Sequence, residues 1–228
     1  MSGLNAATPL LVVAARRPTR YPRRGDPSMP RIVDHVRRRE ELARLVVGIV
    51  QREGAEHATV RRISKVGGFS SGVLTHYFRD KDELIVFAFQ WVARATFQEL
   101  EQVVTAAQPG LPRLRAALEF MVPATSAPSF TRLWLSLWGG AMGNPALARV
   151  HRAYYARWRR HLRRFLDEAV RRGQVAAPDS PRDATDLLAT AIDGLWIGAS
   201  FEPARYPPRR RRALVAQLLR AVLGPHRP

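Results

Sequence analysis

The residues whose types and spacing can do chemistry lie between Thr59 and Leu84, where the chain reads TVRRISKVGGFSSGVLTHYFRDKDEL. Ser70, Ser71 and Gly72 are small enough for the backbone to approach a ligand closely. Their hydroxyls, with the amides of a helix start, can meet phosphate oxygens. Val73, Thr75 and His76 follow at positions that face outward and can contact base edges, thymine methyls included. Tyr77 can hydrogen-bond a phosphate, and Lys81 adds a point charge at the start of a further helix. Two basic clusters flank the stretch, Arg37, Arg38 and Arg39 upstream and Arg61, Arg62 and Lys65 within it. Reaching phosphates, such side chains give affinity and salt dependence but read no sequence; on a solvated polar face they do neither.

The elements that must position these groups are short helices. Thr59 can N-cap a helix running through Val66. Gly67-Gly68 breaks it, Gly68 supplying the positive φ needed between helices packed at a steep angle. Ser70 can cap a second helix ending near Phe78, with Ile63, Val66, Phe69, Leu74 and Phe78 as the small core between the two. Asp80 and Glu83 have the spacing of a capping box for the helix that follows. The layout is that of a helix-turn-helix, whose second helix enters the major groove N-terminus first. A helical hairpin inside a bundle, with basic residues that merely solvate it, has the same pattern.

The rest of the chain reads as helix as well. Leu42, Leu45, Val46, Ile49 and Val50 form one apolar stripe on a helix from Asp34 that Gly54 can end. Further helices are expected over 80–107, 111–125, 128–141, 145–172 (ended by Gly173), 181–198 and 208–223. No segment alternates long enough to be a strand, and there is no internal repeat. The fold class is all-α, with residues 1–30 as a tail, 31–80 as the helix-turn-helix domain and 81–228 as a larger helical domain. Pro9, Pro18, Pro22 and Pro27 interrupt any helix in the tail, and Met29-Pro30-Arg31 directly before the first good helix marks Met29 as a candidate start. An Arg-rich transit peptide is the alternative reading of the tail.

Composition removes several classes. The 228 residues contain no cysteine, which excludes disulfide frameworks, thiol catalysis and thiolate-held metals. His35, His57, His76, His151, His161 and His226 are scattered, and no pair has metal-ligand spacing with a carboxylate. There is no nucleophile elbow, phosphate-cradling glycine loop or dinucleotide fingerprint. No enzyme, metal or cofactor is therefore expected, and the apolar run Leu84–Phe89 is far too short for a membrane span. With 37 basic and 19 acidic residues the net charge is +18, distributed as +4 over residues 1–28, +2 over 29–107 and +12 over 108–228. The basic excess lies mostly outside the helix-turn-helix. That leaves room for a rival reading, a helical protein that binds nucleic acid without sequence preference through its basic half.

Thr59, Ile63, Gly68, Ser70, Gly72, Leu74, Tyr77, Phe78, Lys81 and Leu84 resemble, in identity and spacing, the DNA-binding region of the TetR family of bacterial transcriptional regulators. The likeness covers roughly residues 35–90. Ser64 and Gly67 stand where the family usually has alanine, Phe69 where valine is usual, and Thr75 where many members carry a phosphate-contacting tyrosine. The run Thr75-His76-Tyr77-Phe78-Arg79-Asp80-Lys81, with Met29-Pro30-Arg31 and Arg37-Arg38-Arg39-Glu40, is most similar to the choline-responsive BetI-like branch. The resemblance implies a cytoplasmic, nucleoid-associated homodimeric repressor that binds double-stranded DNA at a palindromic operator and is released by a small-molecule effector.

It also implies a second domain that dimerises and holds the effector. Leu187, Leu188, Ala191, Ile192 and Leu195 within 183–198, and Ala213, Leu214, Leu218, Ala221 and Val222 within 208–223, supply faces for a four-helix interface. Asp193-Gly194-Leu195-Trp196 resembles a segment of the family's eighth helix. Phe120, Trp134, Trp138, Tyr154 and Trp196 are the candidate effector-binding residues, aromatic walls suited to a quaternary ammonium ion. Core packing explains the same residues without a ligand. Asp193, Glu119 and Asp186 are the available counter-charges, and the arginines between His151 and Arg172 are read as the coated outer face of one helix.

Overall fold

The structure is a computed structural model in which residues 31–122 and 128–224 are described. The tail expected over 1–30 lies outside them. Every described element is helical: α1 (Arg31–Glu53), a short 3-10 turn (Ala55–His57), α2 (Val60–Gly67), α3 (Ser71–Tyr77), α4 (Lys81–Ala106), α5 (Leu111–Met121), α6 (Pro128–Gly143), α7 (Pro145–Arg171), α8 (Pro181–Phe201) and α9 (Pro208–Leu223). The helix expected over 111–125 ends at Met121, with Val122 already outside the helical region at φ −117°, ψ 72°. Pro123 disfavours helix for the residue before it, which accounts for the earlier stop. Among the described residues no helix is long and apolar enough to cross a membrane.

The chain divides into two units, and the division does not fall at residue 80. The first unit takes residues through Thr96 together with Pro128–His151, and the second takes Phe97–Ala127 and the chain from Arg152 onward. Both α4 and α7 therefore contribute to each. In the first unit α1 buries Leu42, Ala43, Val46, Val47, Ile49 and Val50, a wider stripe than the five-residue pattern. The helix packs on α2, on α3 and along α6. Arg132 of α6 donates from Nη1 to the carbonyls of Gln51 and Arg52, at 2.8 and 2.6 Å. A cation thus closes carbonyls that the last turn of α1 leaves open.

In the second unit α5, α8 and α9 pack against one another. Along α7, Trp158, Leu162, Phe165, Leu166 and Ala169 are sealed from solvent. Gly173 ends the helix in a left-handed conformation at φ 69°, and the Gln174 amide donates back to the Ala169 carbonyl at 3.0 Å. Gln174 then does a second task. Its Oε1 accepts the Leu111 amide at 2.8 Å and so caps α5 from elsewhere in the chain.

Candidate nucleic-acid interface and aromatic core

The helix-turn-helix is built by local rules. Thr59 precedes α2 in an extended conformation, and its side chain accepts the Arg62 amide at 3.2 Å. Gly68 ends the helix at φ 70°, ψ 31°, its amide and that of Phe69 both donating to the Ser64 carbonyl. Only a glycine takes that conformation without strain. A Cβ at Gly67 would collide with the Phe69 ring. Gly67 and Phe69, both departures from the residues usual there, therefore explain each other: the larger ring fills the place of the missing methyl. Ile63, Leu74 and Phe78 are buried as expected; Val66 and Phe69 are half-buried.

The residues assigned to DNA contact fall on the solvent side of α3. Ser70, Ser71, Gly72, Thr75 and His76 are exposed, Val73 and Tyr77 half-buried, and Leu74 alone faces the core. Ser70 precedes α3 without a side-chain cap, so its hydroxyl is not consumed by the helix. A Cβ on Gly72 would meet nothing closer than Ser70 Oγ at 3.9 Å. The fold does not require glycine there, and its absent side chain leaves room for a close approach from outside. Thr75 Oγ1 donates to the Gly72 carbonyl at 3.0 Å, and the residue stays exposed.

Around α3 the basic residues sort into two groups. Arg61, Lys65 and Lys81 are exposed, and the Arg37 side chain is 63% exposed with a 3.3 Å contact to Glu41. The others are engaged. Arg38 is held by Glu41 at 2.6 Å, and Arg62 grips Glu53 with two hydrogen bonds of 2.8 and 2.6 Å, tying α2 to the end of α1. The Arg62 guanidinium holds the Glu53 carboxyl below its usual range. Arg39 points inward, to Glu83 at 3.0 Å. His35 was not singled out by the sequence. Its ring centroid lies 4.9 Å from that of Tyr77 and 6.3 Å from that of His76, so the first turns of α1 adjoin the end of α3.

The capping box at α4 is offset by one residue. Asp80 Oδ1 accepts the Glu83 amide at 2.7 Å, which with the Arg79 guanidinium keeps the Asp80 carboxyl low. Glu83 Oε2 reaches back to the amide of Arg79 at 2.8 Å rather than to that of Asp80. The turn between α3 and α4 is thereby fixed at both ends.

The five candidate effector residues are divided between the units. Trp134 and Trp138 belong to the first, against Phe130 and His151 at centroid distances of 6.2 and 6.3 Å. Phe120, Tyr154 and Trp196 belong to the second. There Tyr154 packs on Phe97 at 5.1 Å and on Tyr155 at 5.7 Å, and Tyr155 donates to Asp193 Oδ2 at 2.7 Å. Trp196 follows Asp193 by one turn of α8. Burial raises the Tyr154 and Tyr155 hydroxyls and pushes the Asp193 carboxyl up to about 6, the Tyr155 hydrogen bond opposing it. Tyr155 and Phe97 were missed by the sequence reading because nothing in their spacing distinguishes them from core.

Of the other counter-charges, Asp186 pairs with Arg159 at 3.6 Å. Glu119 lines a cleft of about 110 Å³ with Arg211 and Arg212, and burial raises its carboxyl. The arginine-rich helix is an ion-paired surface: Arg163 meets Asp167 at 2.8 Å, Arg164 meets Glu101 at 3.2 Å, and Arg157 stacks over Phe97 at 4.3 Å. Among the described residues no three His, Asp or Glu side chains gather into a metal site.

Known proteins agree with this architecture. The family model for the C-terminal domain of BetI-type transcriptional repressors matches residues 110–224. The HTH-type transcriptional regulator BetI of Stenotrophomonas maltophilia is 31% identical over 183 residues, 78% of this chain and 88% of that protein. A transcriptional regulator from Pseudomonas aeruginosa PAO1 superposes with a TM-score of 0.72 at 28% identity, over 82% of this chain and 90% of that one. A regulator from Saccharomonospora viridis, solved in complex with choline, shares the fold with a TM-score of 0.74 at 16% identity, over 86% of this chain and all of that one. With these relatives, the helix-turn-helix and the helical second unit define a TetR-type, DNA-binding transcriptional regulator. Within that class, the chain belongs to the BetI-type repressors.

Proposed function

We propose that α3 reads base edges through Val73, Thr75 and His76 while Thr59, Ser70, Ser71, Tyr77, Arg37, Arg61 and Lys81 hold the phosphate backbone around Gly72; Arg38, held by Glu41, is left out of that set. The observation that carries this reading is the solvent-facing side of α3, where polar side chains are neither buried nor spent on the helix's own cap. Two copies bind an inverted repeat. They pair through α8 and α9, whose outward sides expose Leu187 and Ala191, and Ala213 and Ala221, while Leu188 and Ile192 serve the monomer's own core. A dimer reads two half-sites at a spacing set by the helical repeat, and an effector that changes the separation of the α3 helices releases the operator.

In vitro selection of random duplex DNA with the full chain tests this. An enriched inverted repeat is the expected result; binding without enrichment moves the function to the basic half. Thr75→Ala should then change the preferred bases, by about 1–3 kcal/mol at one position, and Tyr77→Phe should weaken all sequences alike.

The effector we assign to the second unit is an organic cation held by the aromatic rings of Tyr154 and Tyr155 and by the Asp193 carboxylate. Support comes from the buried acid among aromatic rings, and from the choline bound by the Saccharomonospora viridis protein of the same fold. Calorimetric titration with choline should give binding that Asp193→Asn abolishes. No heat from wild type would leave these residues as core.

A further inference from the structure

Arg39 sits in the row of arginines that opens α1, yet its environment is unlike that of its neighbours. Its side chain is 27% exposed, against 63% for Arg37; Arg38, at 15%, pairs with Glu41 of its own helix, whereas Arg39 reaches other elements. The guanidinium carbon lies 4.5 Å from the Phe78 ring centroid and 4.7 Å from that of Phe87, and those two rings are themselves 5.5 Å apart. Nη2 donates to Glu83 Oε1 at 3.0 Å, and the second oxygen of that carboxylate accepts the Arg79 amide. Phe78 is the residue that ends α3, with its amide bonded to the Leu74 carbonyl. Glu83 and Phe87 belong to the first two turns of α4. One cation of α1 therefore grips the end of the recognition helix, the turn behind it and the start of the next helix.

We infer that Arg39 is a positioning residue for sequence reading: it fixes the orientation of α3 against α1 and α4 and makes no contact with DNA. The physical ground is a difference in tolerance. Hydrogen bonds to base edges demand a defined helix orientation, whereas long basic side chains follow phosphates through small displacements. Loosening the Arg39 grip thus loses discrimination before it loses affinity. A lysine at this position keeps the charge and can meet Glu83, but has no plane to lie against Phe78 and Phe87 together. The inference rests on α3 being the reading helix.

The test compares the duplex enriched from random DNA with an unselected duplex of equal length, using the full chain across a potassium chloride series. Arg39→Gln and Arg39→Lys should weaken the selected duplex about tenfold or more and the unselected one less than about threefold. The salt slope of Arg39→Gln should match wild type, while Lys81→Ala, the phosphate-contact control, lowers the slope by about 1 on both duplexes. Glu83→Gln should reproduce part of the loss, and combining it with Arg39→Lys should add little, because both act on one network. Should Arg39→Gln not fold, the lysine and Glu83 variants carry the comparison. A lowered salt slope in Arg39→Gln would overturn the inference in favour of a direct phosphate contact. Wild-type discrimination in both Arg39→Lys and Glu83→Gln would overturn it in favour of packing alone. A wild-type protein that enriches no sequence removes the reading role of α3 first, and that outcome is separately visible.

Discussion

The surface of α3 and the interior around Tyr155 use overlapping residue types to opposite ends. On α3, hydroxyls and an imidazole stand in solvent, and only Leu74 of the helix is spent on the core. Around Tyr155 a phenol and a carboxylate are drawn inward and bonded to each other, and burial moves both away from their charged forms. The first arrangement suits a large, highly charged partner that brings its own hydrogen-bonding groups. The second suits a small molecule that must replace the water an acid has lost. Charge follows neither pattern. The stretch bearing α3 carries +2 and the second half +12, so net charge does not point to α3. Much of the basic excess on α7 is balanced by Asp167, Asp186 and Glu101.

The contrast can be broken first at the core. Trp158 is 1% exposed in the second unit. Trp158→Ala should lower stability by about 3–5 kcal/mol, read as the denaturant midpoint. If the first unit keeps its own transition while the second shifts, the units are energetically separable; a single transition that moves as a whole would show one cooperative body. A smaller effect is expected in the turn before α3. Gly67→Ala should destabilise by about 1–3 kcal/mol through overpacking against Phe69, and adding Phe69→Val should restore most of the loss. Equal destabilisation in the single and double variants would sever the link between these two positions.

The smallest effect concerns pH. The Asp193 carboxyl is pushed up to about 6 in the folded chain, above its ordinary value of 3.8. Between those values the folded state holds a proton that the unfolded state has lost. Its contribution is therefore complete below about pH 4 and declines as pH rises toward 6. Asp193→Asn retains an acceptor for the Tyr155 hydroxyl but cannot titrate. Thermal midpoints of wild type should fall relative to this variant from pH 4 to 6; parallel curves across that window would contradict the buried-acid account.

What the sequence made legible was whatever is decided within a few residues. Thr59, Gly68, Gly173 and the Asp80–Glu83 pair all cap or stop helices where spacing places them, because each acts on backbone groups three to five positions away. The short helix α3 was legible for the same reason. Roles set across the chain were not. Arg39 meets a partner 44 positions on and Gln174 one 63 positions back, so sequence grouped Arg39 with phosphate-reaching neighbours and gave Gln174 no task. The tryptophans show the same limit: one aromatic set on paper, they fall into two units because α6 packs on α1. On α8 the apolar stripe was readable, but only packing divides buried Leu188 and Ile192 from exposed Leu187.

The way α6 and its Arg132 pack on α1 bears on how such a regulator can be rearranged. The part that holds the reading helix is assembled from two stretches of chain, with residues of the other unit between them in sequence. A splice after residue 80 would carry the recognition surface but strip α1 of the helix that covers its apolar side and of the cation on its last carbonyls. On the proposed reading, exchanging the outward residues of α3 is enough to change DNA specificity. Exchanging the whole reader for another requires α6 to travel with it, which makes this module discontinuous as a unit of recombination.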